Sequence, residues 1–103
     1  MTAIVSDERI RSGDPRIDGT RITVLDVKRR VIDYSADPHV VAGEYGLSMA
    51  ELFGALAYYY DHRSALEQRE HEAAAARRQG ERHTRDLLRR IDRGEYEADE
   101  RAD

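Results

Sequence analysis

The stretch Gly13 to Val24, GDPRIDGTRITV, decides how the front of this chain folds. Its glycines and proline exclude a helix interior, where Gly costs about 1 kcal/mol and Pro about 3 kcal/mol relative to Ala. Asp18-Gly19 is a turn signal, with Ile17 before it and Ile22 and Val24 after it. The pattern predicts a tight turn between extended pieces. Ile17, Ile22 and Val24 then face the core, while Arg16 and Arg21 keep their charges in water. Upstream, Ile4, Val5 and Ile10 predict a short strand, and Arg11 to Asp14 a turn.

Helix starts follow. Thr23-Val24-Leu25-Asp26, Ser48-Met49-Ala50-Glu51 and Ser64-Ala65-Leu66-Glu67 each read as a capping box. In such a box a hydroxyl accepts from a free amide and the acid three residues on reaches back. Asp37-Pro38 is a fourth start, because Pro at the first helical position gives up only an amide that would be orphaned anyway. Helix one is predicted over residues 25–34, with Val24, Val27, Val31 and Tyr34 as its inner stripe. Helix two is predicted over 38–45, with Val41 and Tyr45 inward, and Gly46 stops it. Helix three is predicted over 49–60, with Met49, Leu52 or Phe53, Leu56, and Tyr59 or Tyr60 inward. Ala55, Ala57 and Gly54 allow close packing there.

Beyond Ser64 the chain is rich in helix formers and poor in large apolar groups. Leu66 precedes the run Ala73 to Ala76, and Leu87, Leu88 and Ile91 form a short stripe. Gly80 is a candidate bend. Glu81 with Arg85, and Asp86 with Arg90, are favourable pairs four apart. Such a segment either stays a marginal helix or finds a groove. The expected organisation is a domain over residues 1–63, a charged helical tail over 64–93, and a disordered terminus over 94–103.

The 103 residues, 40% apolar, suit one small domain with an appendage. With no cysteine, disulfides, thiolate metal sites and thiol nucleophiles are excluded. No signal segment or long apolar run is present, so the expected location is cytoplasmic, without a membrane partner. The net charge of −4 argues against a strong nucleic-acid binder, but it is uneven. Residues 9–30 hold seven Arg or Lys against three Asp. Residues 31–61 hold five acids and no Arg or Lys. Residues 62–103 hold ten Arg and eleven acids.

Ala42, Gly46, Leu47 and the flanking helices resemble a helix-turn-helix, with Val41, Leu47 and Leu52 as its small core. The second helix of such a motif reads bases with Arg, Lys, Asn or Gln. Helix three has none of these, and its early positions are Ser48, Ala50 and Glu51. Any DNA contact therefore falls to Arg9, Arg11, Arg16, Arg21, Lys28, Arg29 and Arg30, gripping phosphates. His39, His62, His71 and His83 are not spaced as metal ligands, and no nucleophile, base and charge stabiliser come together. Asp14, Asp18 and Asp26 are explained by turns and capping. No enzyme activity and no cofactor are expected. Tyr58-Tyr59-Tyr60 covers most of a helix circumference, which suits an oligomer interface as well as a core.

The opening motif resembles the signature of DUF433, a family of proteins of unknown function. The pattern is Gly, any, Pro, any, Ile, any, Gly-Thr-Arg-Ile, any, Val, and Gly13, Pro15, Ile17, Gly19, Thr20, Arg21, Ile22 and Val24 meet every fixed position. Ala42, the run Tyr45-Gly46-Leu47-Ser48, the run Ala55-Leu56-Ala57-Tyr58-Tyr59, and His62 continue the likeness, which covers residues 4–66. It implies a mainly α fold: a short N-terminal β element on a homeodomain-like, three-helix helix-turn-helix, here with a long helical tail. It implies that Gly13, Pro15, Gly19, Thr20 and Arg21 form a structural turn. It also implies a VapB-like antitoxin paired with a PIN-like ribonuclease toxin. The family usually has a glycine between its first two helices, where this chain has Tyr34-Ser35-Ala36.

The functional expectation is a homodimeric antitoxin whose tail neutralises a toxin protein. Leu66, Leu87, Leu88 and Ile91 are its anchors, and Arg85, Arg89 and Arg93 enter an acidic nuclease cleft. The alternatives are a DNA-binding repressor of its own promoter, using the basic front, and a structural homo-oligomeric module.

Overall fold

The alternation of Ile17, Ile22 and Val24 is realised as main-chain pairing. The computed structural model describes residues 3–94. Strand β1 (Ile4–Val5) pairs antiparallel with β2 (Arg16–Ile17), Ile4 opposite Ile17 and Val5 opposite Arg16. The chain then reverses over Asp18-Gly19. Gly19 takes φ +79°, which suits a residue without Cβ. The Thr20 amide donates to the Ile17 carbonyl at 3.1 Å. The Thr20 hydroxyl donates to that carbonyl at 2.8 Å and accepts from the Ile22 amide at 3.0 Å. Ile17 and Val24 are buried and Ile22 is half-buried. Arg16 departs from expectation. Its Nη1 donates to the Thr20 carbonyl at 3.1 Å, and its Nε is buried with no hydrogen-bond partner. The turn carries the chain back over the strand that holds it.

The second turn, a 3₁₀ segment over Arg11–Gly13, is wound left-handed, with φ of +51°, +57° and +80° at Arg11, Ser12 and Gly13. Such backbone costs a non-glycine residue about 1–2 kcal/mol. The Arg11 side chain offsets that cost. Its guanidinium donates to Asp26 at 2.8 and 3.2 Å and to the Arg21 carbonyl at 3.0 Å. Asp26 also accepts from the Thr23 amide at 3.0 Å, while the Thr23 hydroxyl accepts from the Asp26 amide at 3.0 Å. The capping box thus starts helix α1 (Val24–Lys28) and anchors the turn fifteen residues upstream.

Helix one does not run as a regular α-helix to residue 34. After α1 the chain takes a π turn over Arg29–Asp33, and the Tyr34 amide donates to Arg29 at 3.0 Å. The wider turn shifts the stripe's register. Val24 and Val27 are buried and Val31 half-buried, but Tyr34 swings out to 72% exposure. Ser35 then takes φ +53°. Ser35 lies in the Tyr34-Ser35-Ala36 link, within which the family resemblance implies a glycine.

Helix α2 (Pro38–Tyr45) starts as read, with Asp37 accepting from the His39 amide at 2.8 Å. Gly46, at φ +68°, ends it. Helix α3 (Met49–Asp61) begins with the Ser48–Glu51 box, both bonds present. Val41, Ala42, Leu47, Leu52, Ala55 and Tyr59 are buried, and they join Ile17, Val24, Leu25 and Val27 in one core. Each large aliphatic so buried contributes about 1.5–3 kcal/mol. Phe53 and Tyr60 are exposed, which settles both paired alternatives in favour of Leu52 and Tyr59.

Helix α4 (Arg63–Asp92) follows after one non-helical residue, His62. Ser64 is therefore inside the helix and is not its cap. Leu66 is buried, and the contacts divide the chain just after it. Gly80 lies inside the helix, which runs through it without a break. Asp86 pairs with Arg89 at 2.9 Å, one residue short of the Arg90 anticipated. Of the terminus expected at 94–103, residues 95–103 lie outside the described residues. The observed fold is mainly helical, with an N-terminal two-stranded antiparallel sheet and a long C-terminal helix.

Burial raises the Asp26 carboxyl, but the Arg11 guanidinium and the Thr23 amide and hydroxyl outweigh it and hold the group below its ordinary value. An unfolded Asp titrates near about 3.9. The lower folded pKa means that Asp26 stabilises the fold fully above about pH 5 and loses that contribution as pH falls below about 4. Urea midpoints measured from pH 6 down to pH 3 are expected to fall less steeply in Asp26→Asn than in the parent; parallel curves would contradict this role. In the same assay at neutral pH, Ser35→Gly is expected to gain about 0.5–1 kcal/mol by relieving left-handed backbone. A loss would contradict the strain.

Candidate functional site

Six of the seven cations of residues 9–30 reach an acid or carbonyl of their own chain. Arg9, highly exposed, bonds Asp7 at 3.3 Å. Arg11 is held by Asp26. Arg16 bonds the Thr20 carbonyl. Lys28 is buried, pairs with Asp33 at 3.0 Å, and sits 5.5 Å from the centre of the Tyr59 ring. Arg30 meets Glu44 at 2.8 Å and lies 5.7 Å from the Tyr45 ring. Arg29 is 3.8 Å from Asp26. Arg21 uses its carbonyl to receive Arg11, and its side chain is exposed. The acids that made the middle of the chain look separately negative, Asp33 and Glu44, reach back to the basic front. Linear charge counting misses this cancellation, because Lys28 meets Asp33 across the π turn and Arg30 meets Glu44 only when α2 packs against it.

The signature residues Gly13, Pro15, Gly19, Thr20 and Arg21 all lie in the two turns and their partners. The Pro15 carbonyl accepts from the Val24 amide at 2.8 Å. The tyrosine run divides by face. Tyr59 is buried, Tyr58 is half-buried, and Tyr60 is exposed, edge-on to Tyr59 at 5.4 Å between ring centres. His62 caps α3: its Nδ1 donates to the Tyr58 carbonyl at 3.0 Å and its ring stacks on Tyr58 at 3.9 Å. Among the described residues, no group of three His, Asp or Glu could hold a metal ion. No described helix is long and apolar enough to cross a membrane.

Helix α4 is exposed over most of its length. Past Leu66 no described side chain is buried. At about 100° per residue, Arg78, Arg82, Arg85, Arg89 and Arg93 fall within about 80° of arc, over about 22 Å of axis. Arg85, Arg89 and Arg93 were singled out by position alone. Arg78 and Arg82 complete the stripe, and a helical projection of the sequence identifies them. Ala73, Ala76, Gly80, Thr84, Leu87 and Ile91 lie on the opposite face by the same projection. Leu88 and Ile91 are 56% and 50% exposed. Like charges four apart destabilise an isolated helix. A row of them is tolerable in water and becomes favourable against carboxylates or phosphates, to which guanidinium donates in bidentate pairs.

No curated protein and no solved structure matches the chain. One family model does, described as a protein of unknown function, DUF433, over residues 4–59. The match takes in both turns, the β element and α1 to α3 up to Tyr59, and stops short of α4. With its signature assembled as a turn-and-cap unit and more than half its length matched, the chain belongs to the DUF433 family.

Proposed function

We propose that this protein is a non-enzymatic, antitoxin-like binding partner located in the cytoplasm. In this reading residues 4–66 are a homeodomain-like helix-turn-helix domain, and α4 is the element that engages a toxin protein. The single observation that carries the proposal is the stripe of Arg78, Arg82, Arg85 and Arg89 on α4, continued by Arg93 just past its end, all exposed. A nuclease of PIN-like type gathers carboxylates around a catalytic metal. Arg85, Arg89 and Arg93 are spaced to enter such a cleft from one helix face. There they form charge-assisted bonds with the carboxylates, displacing the metal or excluding RNA. Leu88, exposed on the flank of the stripe, supplies apolar contact beside them.

Binding of promoter DNA is the weaker reading. Arg11, Lys28 and Arg30 are engaged with acids of their own chain. Helix α3 carries no Arg, Lys, Asn or Gln to read bases, and Glu51 is occupied in capping. Arg9, Arg21 and Arg29 are too few to carry a large counterion-release term. The tyrosine run likewise offers chiefly Tyr60 to a homodimer surface.

The test is RNA cleavage by a PIN-like ribonuclease in the presence of the full chain. Inhibition is expected, and combined Arg85→Glu, Arg89→Glu and Arg93→Glu substitution should weaken it at least about tenfold, equal to about 1.4 kcal/mol. Unchanged inhibition by the triple variant would overturn the role of the stripe. Failure of the parent chain to bind any such nuclease would overturn the antitoxin reading.

A further inference from the structure

The face of α4 opposite the arginines raises a separate question. Ala73, Ala76, Gly80, Thr84, Leu87 and Ile91 recur at spacings of three and four. That is the pattern of a helix seam packed against another helix. Gly80 lies mid-helix, where it costs about 1 kcal/mol against Ala. A Cβ built there would meet nothing within 4 Å. The single chain therefore gives this glycine no steric purpose. A second helix backbone approaching closely at that point would.

Charge identifies the occupant. Residues 67–76 of α4 hold three Glu and one Arg, whereas residues 77–93 hold seven Arg and three acids. The helix is acidic in its first part and basic in its second. A parallel copy would set like on like. An antiparallel copy sets each acidic part against a basic one.

We propose that α4 pairs antiparallel with α4 of a second copy of this chain, through the face of Ala73, Ala76, Gly80, Thr84, Leu87 and Ile91. With the seam centred near Gly80, Ala73 of each copy meets Leu87 and Ile91 of the other. Large groups thus face small ones along the interface, which keeps the separation even. Gly80 and Thr84 form the close crossing at the centre. Glu72 and Arg90 lie at the same flank of the seam, about equally far from its centre, and so face each other across it. The arginine stripe points outward on both helices. Self-pairing is thus compatible with the proposed nuclease contact and does not depend on it.

The chain has no cysteine of its own, so engineered thiols report without background. Full-length Ala73→Cys and Leu87→Cys variants, mixed under mild oxidation, are expected to form the mixed 73–87 disulfide at least about fivefold over either like pair and over an Arg82→Cys control on the opposite face. Glu72→Arg on one background should reduce the yield severalfold, and Glu72→Arg combined with Arg90→Glu should restore it. A preference for 73–73 would establish a parallel arrangement and overturn the proposal. So would a yield no greater than the Arg82→Cys control, or a chain that sediments as a monomer at every concentration. Circular dichroism of each variant separates loss of pairing from loss of helix. None of these readouts involves a nuclease, so their failure is distinguishable from failure of the inhibitor reading.

Discussion

The Asp26 carboxylate is the point on which the N-terminal unit turns. It takes the Thr23 amide to start α1, and takes the Arg11 guanidinium through both oxygens. One group thereby ties a strained left-handed turn to the first helix of the core. Main-chain bonds alone do not explain why Arg11 and Ser12 accept conformations that L-residues avoid. The guanidinium, further held by the Arg21 carbonyl, supplies the reason. The family signature is legible in these terms. It sets out a β-turn and an apolar return segment, and the clamp residues Arg11, Thr23 and Asp26 lie outside its fixed positions.

This use of charge has a consequence for function. The basic front meets the acids of the middle of the chain: Lys28 finds Asp33 across the π turn, and Arg30 finds Glu44 on α2. These pairs spend on architecture the cations that a phosphate-gripping surface would need. Exposed charge also runs along α4, beyond the residues matched by the family model. The two parts of the chain therefore divide their work. The front builds a small domain on shared turns and caps, and the long helix leaves its side chains exposed past Leu66 among the described residues.

Much of the fold was readable from local chemistry. The Thr23 and Ser48 boxes, the Asp37-Pro38 start and the Gly46 stop each depend on residues within one turn of one another, and each appears where the residues put it. The misreadings arose where geometry depends on distant contacts or on one inserted residue. The π turn over Arg29–Asp33 leaves the composition of helix one unchanged yet moves Tyr34 from the inner face to the surface. Ser64 has the chemistry of a cap, but α3 and α4 are separated by a single residue and leave it no helix end. Arg11 looked like a free cation because its acid lies fifteen residues on. The arginine stripe was half visible: Arg85, Arg89 and Arg93 by position, Arg78 and Arg82 only on projecting the whole helix.

The clamp between the two turns and α1 is tested most directly by a double-mutant cycle on Arg11→Ala and Asp26→Ala, read by urea unfolding at pH 7. If the two side chains hold the turn to the helix as a unit, the cycle yields a coupling of about 1–3 kcal/mol, well above the few tenths typical of independent sites. Additive losses would mean that the left-handed turn is held by something else, and that the Arg11–Asp26 pair is not the structural lock described above.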